Sequence, residues 1–135
     1  MIQPGLDVQQ AMKTILASRP ALITLLGGAH VYDELPRGAT APHVLFTMIE
    51  TRDWSVADQK AHESFVTLEI TSKSRSRVQA QSIIQEIELA LDSARPALVD
   101  HNLVNLRCVF ISAARQKSTE YFSATMRFRS ATEPK

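Results

Sequence analysis

The residues best able to do chemistry in this 135-residue chain are four histidines, one cysteine and a pair of loop aspartates. His30, His43, His62 and His101 would make a metal site only if several of them converged. None forms an i,i+4 pair on a helix, and each lies in or beside a loop, so they read as surface or strand-end histidines. Cys108 alternates with Leu106 and Phe110 on an inward-facing pattern and reads as a small buried hydrophobe. A reactive thiolate needs a basic, partly exposed setting, and the adjacent Arg107 points to the other face. Asp53 and Asp58, on either side of Trp54, resemble an acid/base pair only in spacing. Nothing around them supplies the burial that would drive two carboxyl pKa values apart. Gly27-Gly28 does not follow the spacing of a phosphate-binding loop, and no such motif occurs elsewhere. The expectation is a protein without catalytic residues, cofactor or metal. The competing class is a small cytosolic enzyme or ligand-binding module using His43, His62 or Cys108, which requires a concave pocket with converging polar groups.

Docking chemistry is better represented. Lys73, Arg75 and Arg77 form a short basic cluster at a helix start, where positive charge opposes the helix dipole. It is either a solvated turn or a contact for an acidic neighbour or a phosphate backbone. Trp54, the only tryptophan, sits in a polar segment, where burial in the domain and docking into a partner compete.

The elements that position these residues are organised around Glu63–Leu91. Val66, Leu68 and Ile70 alternate with Thr67, Glu69 and Thr71 as in a half-buried strand. From Val78 the period changes, and Ala80, Ile83, Ile84, Ile87 and Leu91 form the apolar stripe of a helix of about four turns. Ser76 with Gln79 fits a capping box, and Ser74 is the rival cap. The strand and helix faces should pack together and build the core.

Before this unit, Asp7 is a plausible cap for a helix with Val8, Met12, Ile15 and Leu16 on one side. Pro20 stops or bends that helix, Ala21–Leu26 continues as another turn or two, and Gly27-Gly28 terminates it. A short strand at His30–Asp33 precedes a loop from Leu35 to Pro42. His43–Glu50, with Val44, Phe46 and Met48 on one face and Leu45, Thr47 and Ile49 on the other, reads as a central strand covered on both sides. Thr51–His62 reads as a long polar connection. After the main helix, Ser93–Asn102 is a connection, and Leu103–Ser112 and Tyr121–Arg129 form a strand pair joined by a loop from Ala113 to Glu120. Val104, Leu106, Cys108 and Phe110 point inward with Phe122, Ala124, Met126 and Phe128. Asn105, Arg107, Ser123, Thr125, Arg127 and Arg129 fall outside, along with Val109 and Ile111, a mixed surface that a partner subunit would cover. Thr132–Lys135 reads as a frayed tail. The expected fold is one α+β domain over residues 1–135: an antiparallel sheet of about four strands with two main helices packed on one face.

Bulk composition excludes several classes. An apolar fraction of 44% and a charged fraction of 21% belong to an ordered soluble domain rather than a disordered chain. A net charge of +1, spread along the chain, argues against specific nucleic-acid recognition. No apolar run approaches the roughly 20 residues that span a bilayer, so no membrane partner is expected. One cysteine leaves no intramolecular disulfide. The start Met1-Ile2-Gln3-Pro4-Gly5 lacks the pattern of a signal peptide.

Several features, in order along nearly the whole chain, carry a resemblance. They are the apolar N-terminal helix, Val31-Tyr32-Asp33-Glu34-Leu35-Pro36, Ala41-Pro42-His43-Val44, Arg52-Asp53-Trp54-Ser55, the strand exit Thr71-Ser72-Lys73-Ser74, and Met126-Arg127-Phe128-Arg129. This resembles the small tail-completion, or tail-terminator, family of tailed phages, prophages and gene transfer agents. That family often has an aromatic residue where this chain has Thr71-Ser72. The resemblance implies a non-enzymatic virion protein made in the bacterial cytoplasm and located in the tail. It implies a ring, commonly a hexamer, on the last ring of tail-tube protein, ending tube polymerisation and facing the head connector; another neck or connector adaptor is the alternative. Implied partners are its own copies, the tube protein and the connector. The residues expected at assembly interfaces are Arg52, Asp53, Trp54, Lys73, Arg75, Arg77, Arg107, Arg127 and Arg129.

Overall fold

A computed structural model describes residues 2–135. Three helices lie on one face of a five-stranded sheet: α1 (Pro4–Ala17), α2 (Pro20–Leu26), β1 (Val31–Tyr32), β2 (His43–Asp53), β3 (His62–Thr71), α3 (Arg77–Leu91), β4 (His101–Arg115) and β5 (Phe122–Pro134). The α+β class holds, with one more strand and one more helix than the pattern suggested. Strand order is β1-β2-β3-β5-β4. All neighbours are antiparallel except β1 and β2, which run parallel through Val31–Val44 and Tyr32–Leu45, so the sheet is mixed.

The core lies between sheet and helices. Val66, Leu68 and Ile70 of β3 and Ala124, Met126 and Phe128 of β5 meet Val8, Met12 and Leu16 of α1 and Ile83, Ile87 and Leu91 of α3, all buried. Gly5 brings α1 against β2 so closely that a Cβ there would run into Ile49 Cγ2 and Thr51 Oγ1. Gly27 ends α2 in the left-handed region (φ 76°), as a helix C-terminus after a proline-started turn requires.

Helix starts differ in detail from expectation. Asp7 is not the cap of α1. The helix begins at Pro4, with Gln3 at the cap position and no side-chain cap bond. Ser76 Oγ does cap α3, accepting from Val78 N at 3.2 Å. The reciprocal half of a capping box is missing, because Gln79 Oε1 instead accepts from Lys73 N at 2.6 Å. Ser74 Oγ accepts from Ser76 N, so the rival cap ties the turn before the helix.

The strands run longer than the alternation implied. β2 and β3 continue to the pair Asp53–His62, so Thr51–His62 is mostly the end of a β-hairpin, closed by a tip from residue 54 to 61 with a bridge between Val56 and Gln59. β5 continues to Pro134, paired with β4 through Asn102–Glu133, and Ala131 and Thr132 are fully buried. The expected frayed tail is therefore part of the sheet. β-Bulges explain three misplaced faces. A register shift between Phe46 and Met48 turns Met48 outward, and one between Cys108 and Phe110 turns Phe110 outward and Ile111 toward the helix side, opposite Met126. β2 is thus not covered on both sides: Val44 and Phe46 are buried, whereas Thr47 to Asp53 are exposed.

Candidate assembly interface

The sheet face turned away from the helices carries Arg52, Arg107, Arg127 and Arg129 of the charged residues singled out from the sequence. β3 and β5 pair Phe65 with Arg129 and Thr67 with Arg127, which places these four on that face. Arg127 Nη2 donates to Glu50 Oε1 at 3.1 Å, and its guanidinium lies 4.4 Å from the Phe65 ring centroid. Toward the hairpin tip, Glu63 accepts from Arg129 Nε on one oxygen and from Arg52 Nε on the other. The Arg129 guanidinium also sits 5.0 Å from the Trp54 ring centroid, and its Nη1 donates to Asn105 Oδ1 at 3.4 Å. Cations over ring faces gain from the ring quadrupole, and a carboxylate gripped by two guanidinia gains charge-assisted bonds. The bond from Arg129, opposed by burial and reinforced by Arg52, holds the Glu63 carboxyl below its ordinary range.

Arg52, Trp54 and Arg129 thus form one cluster whose centre, Glu63, the sequence reading passed over. Glu63 and Glu50 were legible only through the β2–β3 register, which reading Thr51–His62 as a connection concealed. Asp53 points elsewhere and accepts from Ser55 N at 2.9 Å; bonds from the Ser55 side chain and then its amide, within the same turn, lower its pKa. Trp54 is neither buried nor free: it is 44% exposed, stacked by Arg129, and borders a groove of about 160 Å³ with Val56, Lys60, Val104 and Glu133.

Lys73, Arg75 and Arg77 do not join this cluster. They lie beyond Thr71, at the other end of β3 from His62, about 30 Å away at the rise of an extended strand. There Arg75 meets Glu120 at 3.5 Å, and Arg77 lies 5.4 Å from the Phe122 ring centroid. Arg107 is on the edge strand β4, opposite Arg129 in register and 3.2 Å from Asp92 Oδ1. The nine residues therefore mark two ends, a face and an edge rather than one site.

The groups weighed for catalysis are separated. His43 begins β2 and His62 begins β3, at opposite ends of the same hairpin, with Cys108 on β4. Cys108 is half-buried, and burial raises its thiol pKa, which disfavours the thiolate. His101 is the exception to the expectation of superficial histidines. It is buried, and its Nδ1 lies 2.9 Å from Asp7 Oδ2. The same carboxylate accepts from Val99 N at 3.0 Å and Asp100 N at 2.9 Å. Asp7 thus joins α1 to the start of β4. Burial pushes its carboxyl up, but His101 and the two amides outweigh it and hold the pKa below the usual value. Among the described residues no cluster of His, Cys, Asp and Glu has the makings of a metal site, and no helix is long and apolar enough to cross a membrane.

The sequence matches the family of tail completion protein gp17 over residues 10–133. The chain belongs to that family. As a tail completion protein it is a structural component of the virion tail and not an enzyme. Comparison with curated proteins found no match. Among solved structures, a chain from the virion of a native gene transfer agent particle is similar, with a TM-score of 0.85 and 22% identity over 93% of this chain and 94% of that one. That likeness supports the α+β fold.

Proposed function

We propose that this tail completion protein caps the tail tube as a ring, ends tube polymerisation and forms the tail side of the head–tail junction. The family match carries the reading. The distribution of surface features supports it. A ring subunit needs two different lateral patches and two different ends, one for each neighbour along the tail axis. This molecule has two unlike sheet edges, a hairpin tip with Trp54 at one end, and the Lys73–Arg77 turn with the 116–121 loop at the other. Cations balanced by acids give orientation-specific docking rather than general stickiness. Within this reading Arg52, Trp54 and Arg129 form the contact at one end, and Lys73, Arg75 and Arg77 the contact at the other.

Removing the gene from a producing cell tests the function. Filled heads without tails and tubes of uncontrolled length are the expected products, seen by electron microscopy. Tails of normal length that fail only to join heads would instead assign the protein to the connector side, and normal particles would overturn the reading.

A further inference from the structure

The sheet edge at β4 is covered over only part of its length. Ser93 N donates to Leu106 O at 2.8 Å, Arg95 Nη2 to Val104 O at 2.9 Å, and Cys108 N to Asp92 Oδ1 at 2.9 Å, so the connection after α3 occupies the edge as far as Cys108. Over residues 109–115 no further backbone of the described residues bonds to it. On the helix side of this free stretch, Ile111 and α3 border a groove of about 450 Å³ that also has Arg77, Val78, Ile84 and Glu88 in its lining. Val78 and Ile111 are exposed there. The Arg115 end of the stretch carries unbalanced positive charge. Ser72 N donates to Phe122 O at 3.0 Å and Phe122 N to Ser74 O at 3.3 Å, which ties the basic turn before α3 to the end of the β4–β5 pair. The Phe122 ring is buried, with the guanidinia of Arg77 and Arg115 at 5.4 and 5.3 Å from its centroid. Lys73 and Lys117 are exposed in the turns on either side. Glu120, 3.5 Å from Arg75, is the acid at this end, and among the described residues Lys73, Arg77, Arg115 and Lys117 make no ion pair. Glu88 lies about three turns along α3 from Arg77, at the other end of the groove.

We propose that an extended, acidic segment of a neighbouring tail protein lies along residues 109–115, continuing the sheet, with an apolar side chain in the groove and carboxylates on Arg77, Arg115 and Lys117. A free edge offers its unpaired amides and carbonyls to such a segment, and alternate side chains of the added strand fall toward the groove. The charges fix the chemistry of the occupant. Cations without an internal acid gain from a partner that brings carboxylates, and two guanidinia already held against a ring lose little freedom in binding them. A phosphate backbone is the poorer occupant, because it can neither pair with a strand edge nor fill an apolar groove. The free stretch of β2 in a second copy is also poorer: Glu50 there is engaged by Arg127, and Arg52 adds positive charge. This inference rests on the proposed tail cap and names the chemistry of the neighbour at one of its ends.

The test uses full-length protein in purified tails. A carbodiimide joins a lysine amine to a carboxylate without a spacer. Lys117 or Lys73 should become linked to an aspartate or glutamate of another tail protein, identified by mass spectrometry. Links only to further copies of this chain, or none, overturn the assignment of the occupant. Amide hydrogen exchange supplies a second readout: in the free protein every second amide over residues 109–115 points out of the edge, and in tails this peptide should exchange more slowly. Unchanged exchange overturns strand addition. Arg77→Gln combined with Arg115→Gln should lower incorporation into tails several-fold, whereas Arg37→Gln, at an exposed cation in the loop before β2, should not. Both substituted arginines are exposed, and unchanged thermal melting verifies the fold. Equal incorporation of the double variant overturns the role of the cations. Binding of a short DNA duplex that the double variant loses would assign them to a phosphate backbone and overturn the protein partner. These outcomes leave the cap standing; tails that end and join heads normally without this protein would overturn the cap, and this inference with it.

Discussion

β3 and β5 show opposite chemistries on their two sides. Toward the helices they present Val66, Leu68, Ile70, Met126 and Phe128, all inaccessible to water. Away from the helices they present Phe65, Arg127 and Arg129, joined to Glu50, Glu63 and Trp54 by ion pairs and cation–π contacts. The first side obtains its stability from area removed from water. Apart from the buried Glu63, the second keeps its charges partly solvated, where a pair contributes little and can be exchanged for a contact with another molecule. One side therefore specifies the fold and the other is available for assembly, although they share a backbone.

Substitutions divide along the same line, and failure to do so would break the comparison. Phe128→Ala on the helix side should cost about 4 kcal/mol in denaturant unfolding, from lost burial and the cavity left behind. Asp7→Ala should cost on the order of 3 kcal/mol, because two backbone amides and His101 lose a buried acceptor. Asp7 also has a pH signature. Its folded-state pKa lies below the ordinary 3.8, so its stabilising contribution is complete above that value and is lost as the pH falls through the lower, folded one. Acid unfolding of Asp7→Asn should accordingly be shallower than that of the wild type below that pH.

Glu63→Ala, on the other side but buried beneath Arg52 and Arg129, should cost about 2 kcal/mol and leave two guanidinia unpaired. It sharpens the comparison because it is the one outer-face residue expected to matter for both stability and docking. Trp54→Ala should change stability by less than about 1 kcal/mol while lowering tail attachment in a particle-yield assay. Normal particle yield from Trp54→Ala would remove the hairpin tip from the proposed interface. Glu50→Ala, an exposed partner of Arg127, should be the smallest effect in the isolated chain, within about 0.5 kcal/mol.

The helix side of the molecule was readable from periodicity, because burial enforces it residue by residue. Every apolar position assigned to the Glu63–Leu91 unit is buried, as are Phe122, Ala124, Met126 and Phe128. The outer side was not readable in the same way. Its residues are placed by cross-strand register, which a single sequence does not encode locally, and bulges at Thr47 and Val109 inverted the expected faces of Met48, Phe110 and Ile111. The arginines and Trp54 stood out as candidates, but the carboxylates that organise them did not. Asp7 was misread for a related reason: an acid near a helix start has the look of a cap, and its partners lie more than ninety positions away.

The place of β5 has a consequence for synthesis. It is the last strand to be translated of the five, yet it fills the gap between β3 and β4 and carries Met126 and Phe128 into the centre. Until it emerges from the ribosome, β3 has one neighbour and β4 has none. Nascent chains therefore hold no continuous sheet, and the outer-face cluster, which needs Arg127 and Arg129, does not yet exist. Folding waits on these distant pairings, as high contact order dictates. Under the proposed function, a subunit acquires that interface in the same late step that completes its core.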